Sequence, residues 1–214
     1  MGNVDIRGRQ TYTGGGDAQV NIGADYQKNL LAAQGNPHYM ETARRGQGYN
    51  VSLASGVAPL VAVPSTVAAL EVWNGSATKI MVLRDLFAFR LLGTAAAQTW
   101  SIWGMVTTTK AVPTLTALTL YSTEGKAAIT PTAVTDAVTG VGTTVVANGW
   151  RPYGPPVGYI TEAALPNAAW SWPIEGRIII PKNCSFCMHA VGATTAGTVT
   201  MGFTFDWITA TVEA

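Results

Sequence analysis

Between Thr198 and Ile208 the chain reads TVTMGFTFDWI, and its apolar and polar residues alternate without a break. Val199, Met201, Phe203, Phe205 and Trp207 fall on one side, and Thr198, Thr200, Gly202, Thr204 and Asp206 on the other. A period of two belongs to a β-strand, whose successive side chains project to opposite faces. A strand with one wholly apolar face has to be covered by a second layer, so this stretch predicts one wall of a two-layer β structure. From Tyr49 onward other segments share its character. YNVSLA, VAALEVW, TKIMVLRDLFAFR, TWSIWGMVTTT and LTALTLY are rich in β-branched and aromatic residues. Asn74-Gly75 separates two of these runs, and a tight Asn-Gly turn predicts a hairpin there. Ile80 to Phe89 is apolar on both faces apart from Arg84 and Asp85, which predicts a central strand covered on both sides. Near the C-terminus GRIIIPKN reads as a strand closed by Pro181. In CSFCMHAV, Cys184, Phe186, Met188 and Ala190 share one face. Eight to ten strands separated by turn signals predict an all-β chain, an antiparallel β-sandwich of jelly-roll type rather than an α/β fold.

Two regions differ from this pattern. Residues 1–48 contain the Gly-rich TYTGGGDAQV and one candidate short helix over 25–34, ended by Gly35 and Pro37. They predict either an extended N-terminal arm with little core of its own or a disordered tail, ahead of a sandwich domain at 49–214; the arm is the reading adopted. Residues 122–175 predict a long irregular insertion with short edge strands, because Pro152, Pro155 and Pro156 exclude a central strand.

The composition narrows the function. Charged residues make up 12% of the chain, about half the ~25% of an ordinary soluble domain. A surface so poor in charge suits a protein covered by neighbours, and predicts a homo-oligomer. A net charge of +1 leaves no general electrostatic footprint for nucleic acid or an anionic membrane. The chain has no apolar run of membrane-spanning length, and MGNVDIRGRQ lacks the apolar centre of a signal peptide, which predicts synthesis in the cytoplasm. Cys184 and Cys187 have C-x-x-C spacing and are followed by His189. Residues three apart on a strand face opposite ways, and His38 is far off in the arm, so no metal site or cofactor is expected. Gly14-Gly15-Gly16 lacks the Lys-Ser/Thr of a phosphate loop, and there is no G-x-S-x-G. The expected chain is non-enzymatic, with no catalytic residues.

The segment PIEGRIIIPKNCSFCMHAVGATTAGTVTMGFTFDW joins a Pro-closed apolar strand to an alternating strand, a Thr-Ala-Gly turn and a last strand ending in Trp. It resembles β-sandwich virion proteins of tailed bacteriophages, of the head-decoration (cement) or fibre type, and LEVWNGSATKIMVLRDLFAF resembles their opening strands. The resemblance covers about a third of the chain. It implies a virion location, trimerisation of the sandwich, and an arm that ties the subunit to its neighbours or to the major capsid protein. It implies no catalytic residues. The arm is nearly neutral, holding five of the 13 Lys/Arg and four of the 12 Asp/Glu, so its attachment is expected to be largely apolar. Tyr26, Leu30, Leu31 and Tyr39 are its candidate docking residues, with Arg44 and Arg45 as candidate partners for carboxylates. The aromatics Trp150, Tyr153, Tyr159, Trp170 and Trp172 have two open readings. One is a platform for sugar rings, as in a tail-fibre receptor module. The other is packing against the sandwich or a neighbouring subunit.

Overall fold

In the computed structural model of the chain, the described residues are 7–8, 20–21, 45–92, 98–108, 118–129, 137–146, 149–159 and 169–209. The chain divides into two compact units, Met1–Glu41 and Thr42–Ala214. In the first, β1 (Arg7–Gly8) pairs antiparallel with β2 (Val20–Asn21). The helix expected over 25–34 lies outside the described residues.

The second unit is a sandwich of two antiparallel sheets. Its strands are β3 (Gly48–Ser52), β4 (Val67–Asn74), β5 (Lys79–Leu92), β6 (Gln98–Thr108), β7 (Tyr121–Ser122), β8 (Ala137–Thr144), β9 (Arg151–Tyr159), β10 (Ala169–Pro173), β11 (Ile179–Ile180), β12 (Cys184–Gly192) and β13 (Thr198–Thr209). One sheet has the order β10-β5-β13-β3-β7, with β11 also on β5, and the other the order β8-β4-β12-β6-β9. Successive strands β3, β4, β5 and β6 alternate between the sheets, and so do β9, β10, β12 and β13. The two four-strand cores, β3-β13-β5-β10 and β4-β12-β6-β9, have the jelly-roll order. The expected fold class is therefore the observed one.

Strand β13 is the wall its alternation predicts. Val199, Met201, Phe203, Phe205 and Trp207 are all buried in the main core. Gly202 lies where the Phe87 ring of β5 crosses the outer face of the sheet, a space that any β-carbon would enter. Phe186 of one sheet meets Phe203 of the other edge-on at 5.2 Å. Ring contacts continue from Phe203 to Phe205, on to Tyr49 and then to Trp207, and on the other side from Phe186 to Tyr153. This aromatic chain runs through the sandwich. Beyond the sheet's opposite face, Arg84 donates to the buried carboxylate of Asp206 and Thr204 Oγ1 donates to Asp85 at 2.8 Å.

Two sequence expectations are corrected. Asn74-Gly75 is not a hairpin turn. β4 pairs with β8 and β12, whereas β5 pairs with β13, β10 and β11, so the Asn-Gly segment is an arch between the sheets. The buried Asn74 side chain holds the arch. Its Nδ2 donates to Lys79 O at 2.8 Å and Ile180 O at 3.1 Å, and its Oδ1 accepts from Ser76 N and Trp207 Nε1. Nor is β5 covered on both faces. Its pairing with β13 steps between Thr204 and Phe205, which leaves Arg84 as an extra residue on β5. The bulge reverses the strand's phase. Met81 and Leu83 point into the core before it and Leu86 and Ala88 after it, while Val82, Phe87 and Phe89 are only half-buried. Both faces of β5 carry apolar residues, but only one is fully buried in the core, and that face changes phase at Arg84-Asp85.

The region expected to be irregular, 122–175, supplies three strands, β8, β9 and β10, each at a sheet edge. The prolines of β9 are tolerated there because an edge strand needs only half its ladder.

Candidate functional site

The open edges of the two sheets meet where β9 faces β10 and the turn after it. Two bulges shape the place. In β9 the register steps from Trp100↔Val157 to Ile102↔Tyr153, so Gly154, Pro155 and Pro156 make up a bulge. Gly154 has a φ of 64°, and a β-carbon on it would sit 2.8 Å from Trp172 and 2.9 Å from Trp170. Glycine here supplies both the left-handed backbone and the room for two indoles. On the other wall, the carbonyl of Arg84, the bulge residue of β5, accepts from the N–H groups of Ile174 and Glu175, and Gly176 N donates to Leu83 O. This ties down the turn that carries Arg177, with Glu175 at φ 53° and Gly176 at φ 79°.

Between these walls lies a cleft of about 390 Å³, lined among others by Arg151, Tyr153, Trp172 and Arg177. Tyr153 is its rigid floor, buried and packed edge-on against Phe186. Arg151 Nε donates to Tyr153 Oη at 2.9 Å, and its guanidinium lies over the Tyr153 ring at 5.2 Å. That geometry holds the cation by a hydrogen bond and by cation–π attraction. Trp172 leaves 37% of its surface exposed. Arg177 reaches Glu175 at 3.2 Å across an exposed pair, which in water is worth little. Among the described residues, two guanidinium groups line the cleft and no carboxylate does.

Of the five aromatics expected to act together, the structure brings together Tyr153, Trp170 and Trp172. Trp150 belongs elsewhere. Its Nε1 donates to Ser65 O at 2.9 Å, and the ring packs on a second small core of Ala68, Met105, Val145 and Cys187. Tyr159 ends β9 opposite Gln98, and its side chain lies outside the described residues. So do Tyr26, Leu30, Leu31, Tyr39 and Arg44. Arg45 is exposed on the turn before β3. Arg177 was not anticipated, and its only sequence signal is the Glu-Gly turn following Pro173.

A second feature went unanticipated. Residues 46–70 contain no charged side chain. Where this segment passes between the sheets, Leu60 is held by backbone bonds to Ala190 and Gly192. Beside it a shallow groove of about 240 Å³ is lined by Leu60, Val61, Ala62, Val63, Ser65 and Val67. Val61, Val63 and Val67 are 63%, 57% and 44% exposed, and Val146, next to the Val145 that bonds Thr66 O, is 67% exposed. Single surface valines are ordinary, whereas these four lie on or beside a stretch without charge.

Cys184 and Cys187 lie on opposite faces of β12, Cys184 against the main core and Cys187 in the second. Burial pushes the Cys187 thiol well up, and neighbouring Glu71 pushes it further. Among the described residues no group of three His, Cys, Asp or Glu side chains is placed to hold a metal. No helix among them is long and apolar enough to cross a membrane.

Burial holds the buried His189 below its ordinary value of 6.5, partly opposed by the Nδ1 hydrogen bond to Ala190 O at 2.9 Å. The unfolded chain therefore binds this proton at a pH where the folded chain does not. Stability should hold above pH 6.5 and fall as the pH drops from there towards the folded value, with a slope from this group of at most about 1.4 kcal/mol per pH unit. Urea unfolding of wild type and His189→Gln across pH 5 to 8 checks this. The variant should lose that part of the slope.

The fold and these surfaces define a jelly-roll sandwich with a cleft lined by two arginines and two aromatic rings at one edge, and an uncharged groove lined by valines. Comparison of the chain with protein-family models, curated proteins and solved structures finds no match.

Proposed function

We propose that this chain is a non-enzymatic structural protein of a virion, a decoration or cement protein that stabilises a capsid by burying surface between subunits. The observation that carries this reading is the exposed valine cluster of Val61, Val63 and Val67, on a segment free of charge, with Val146 beside it. In a symmetric assembly the same patch recurs on every subunit, and an uncharged patch meets copies of itself without like-charge repulsion. A standard interface buries about 800 Å² on each partner, more than four half-exposed valines provide. The N-terminal arm, with Tyr26, Leu30, Leu31, Tyr39, Arg44 and Arg45, supplies further contact to neighbouring subunits or the major capsid protein. Viral capsid and lectin domains both use jelly rolls, which supports the reading by analogy of fold only.

Native mass spectrometry of the full chain and of residues 41–214 at micromolar concentration tests it. A trimer is expected for the full chain and a weaker assembly for the truncated one. A monomer in both cases would overturn the proposal.

A second reading is favoured by one observation, the convergence of Tyr153, Trp170 and Trp172 around Gly154 at the cleft. It is a carbohydrate-binding receptor module of the tail-fibre or spike type, in which the exposed Trp172 face stacks on a sugar ring.

A further inference from the structure

We infer that the cleft between β9 and the β10–β11 turn is a site for an acidic saccharide, one carrying carboxylate or sulfate groups; this rests on the carbohydrate reading of the cleft and narrows it. The first ground is charge. Arg151 and Arg177 both line the cleft, and among the described residues no carboxylate does. Glu175 pairs with Arg177 only through an exposed contact at 3.2 Å, with the two side chains 55% and 74% exposed, so an incoming anion displaces it at small cost. Among the described residues Arg151 has no carboxylate partner. Its Nε is engaged by Tyr153 Oη, which leaves the Nη edge of the guanidinium for a planar anion, and a guanidinium fork matches a carboxylate in bidentate fashion.

The second ground is preorganisation. Arg151 rests on the Tyr153 ring, and Tyr153 is locked edge-on against Phe186 at 6.3 Å in the core. Trp172 packs against the Gly154 bulge, and the backbone turn that carries Arg177 is bonded to the Arg84 and Leu83 carbonyls. Groups already held in place lose little entropy on binding. The third ground is shape. A cleft of about 390 Å³ falls at the small end of the range for ligand sites, and suits one or two sugar rings. An exposed indole face beside two cations fits a ring with apolar C–H edges and an anionic substituent. A nucleic acid would also offer rings and anions, but the chain's net charge of +1 supplies no tract of cations to follow a phosphate backbone.

Isothermal titration and NMR on the full chain test the inference with five probes: tetragalacturonate, sialyllactose, a heparin tetrasaccharide, neutral lactose and a ten-residue oligothymidylate. At least one acidic saccharide should bind tenfold or more tightly than lactose and oligothymidylate. Arg151→Ala and Trp172→Ala should each weaken it tenfold or more, Arg177→Ala should weaken it less, and Trp150→Phe should leave it unchanged. Arg151→Lys should restore only part of the affinity, because an ammonium cannot make the bidentate contact. Circular dichroism identifies any variant that fails to fold, and Arg177→Ala, on an exposed turn, provides a second test in that event. Lactose binding as tightly as the acids would overturn the acidic specificity and leave the carbohydrate reading standing. No saccharide binding would overturn both. Preference for oligothymidylate, or binding indifferent to Arg151 and Trp172, would overturn the assignment of this cleft.

Discussion

Replacing Phe203 by alanine should destabilise the sandwich by about 3–5 kcal/mol, the cost of removing a fully buried aromatic from a packed core. Phe203 sits on the central strand β13 with no exposed surface. It touches Phe186 of the opposite sheet at 5.2 Å and an interplanar angle of 87°, and Phe205 at 5.7 Å. Truncation removes both ring contacts at the point where the two sheets join, and leaves a cavity that rings from two layers cannot close together. Phe205→Ala should fall in the same range, since Phe205 is equally buried and stacks on Tyr49 at 5.9 Å. Thr204→Ala, between them on the other face, forfeits one partly buried hydrogen bond to Asp85, worth about 1 kcal/mol. Urea unfolding of the three variants checks the order. A Thr204 variant costlier than Phe203 would mean that the faces of β13 are reversed.

Asn74→Ala should cost about 3–6 kcal/mol, a large part of the ~5–15 kcal/mol total stability of a domain. The alanine orphans four groups at once: the carbonyls of Lys79 and Ile180, the N–H of Ser76 and the indole N–H of Trp207. An unpaired buried polar group costs about 1–3 kcal/mol, and water entering the arch recovers part of that. Asn74→Asp should be at least as damaging despite its identical shape. A carboxylate oxygen then faces the two carbonyls that the amide nitrogen served, and the charge is buried. Trp207→Phe removes only one of the four bonds from Asn74, so thermal and urea unfolding should rank it well below either Asn74 variant.

How far the sequence specifies these features depends on whether the deciding contact is local. The faces of β13 and β12 are legible because alternation is a property of the strand itself. Asn74-Gly75 has the chemistry of a turn, and it does turn the chain. Whether the flanking strands then pair with each other is decided by β12 and β13, more than a hundred residues further on, which take β4 and β5 into different sheets. The Arg84-Asp85 bulge leaves a trace in the sequence, two charges in an apolar strand, but the phase change becomes visible only against the register of β13. The cleft is partly legible. Tyr153, Trp170 and Trp172 stand out as an aromatic cluster, and the Gly154-Pro155-Pro156 bulge explains why they converge. Trp150 is one residue out of phase with Arg151 and Tyr153, and so is directed to the second core. Arg177 and the valine cluster have no motif. They matter because of what the fold leaves exposed beside them.

Sedimentation equilibrium of the full chain carrying Val61→Asp and Val63→Asp tests whether the uncharged valine groove is an assembly surface. Both positions are already more than half exposed, so the substitutions should leave the circular dichroism and unfolding midpoint close to wild type. In an assembly that brings copies of the patch together, the new carboxylates lose apolar contact and repel one another. The account predicts a multiple of the 22.4 kDa chain mass for wild type and a shift to monomer, with at least tenfold weaker association, for the double variant. An unchanged association constant for a folded double variant would contradict it.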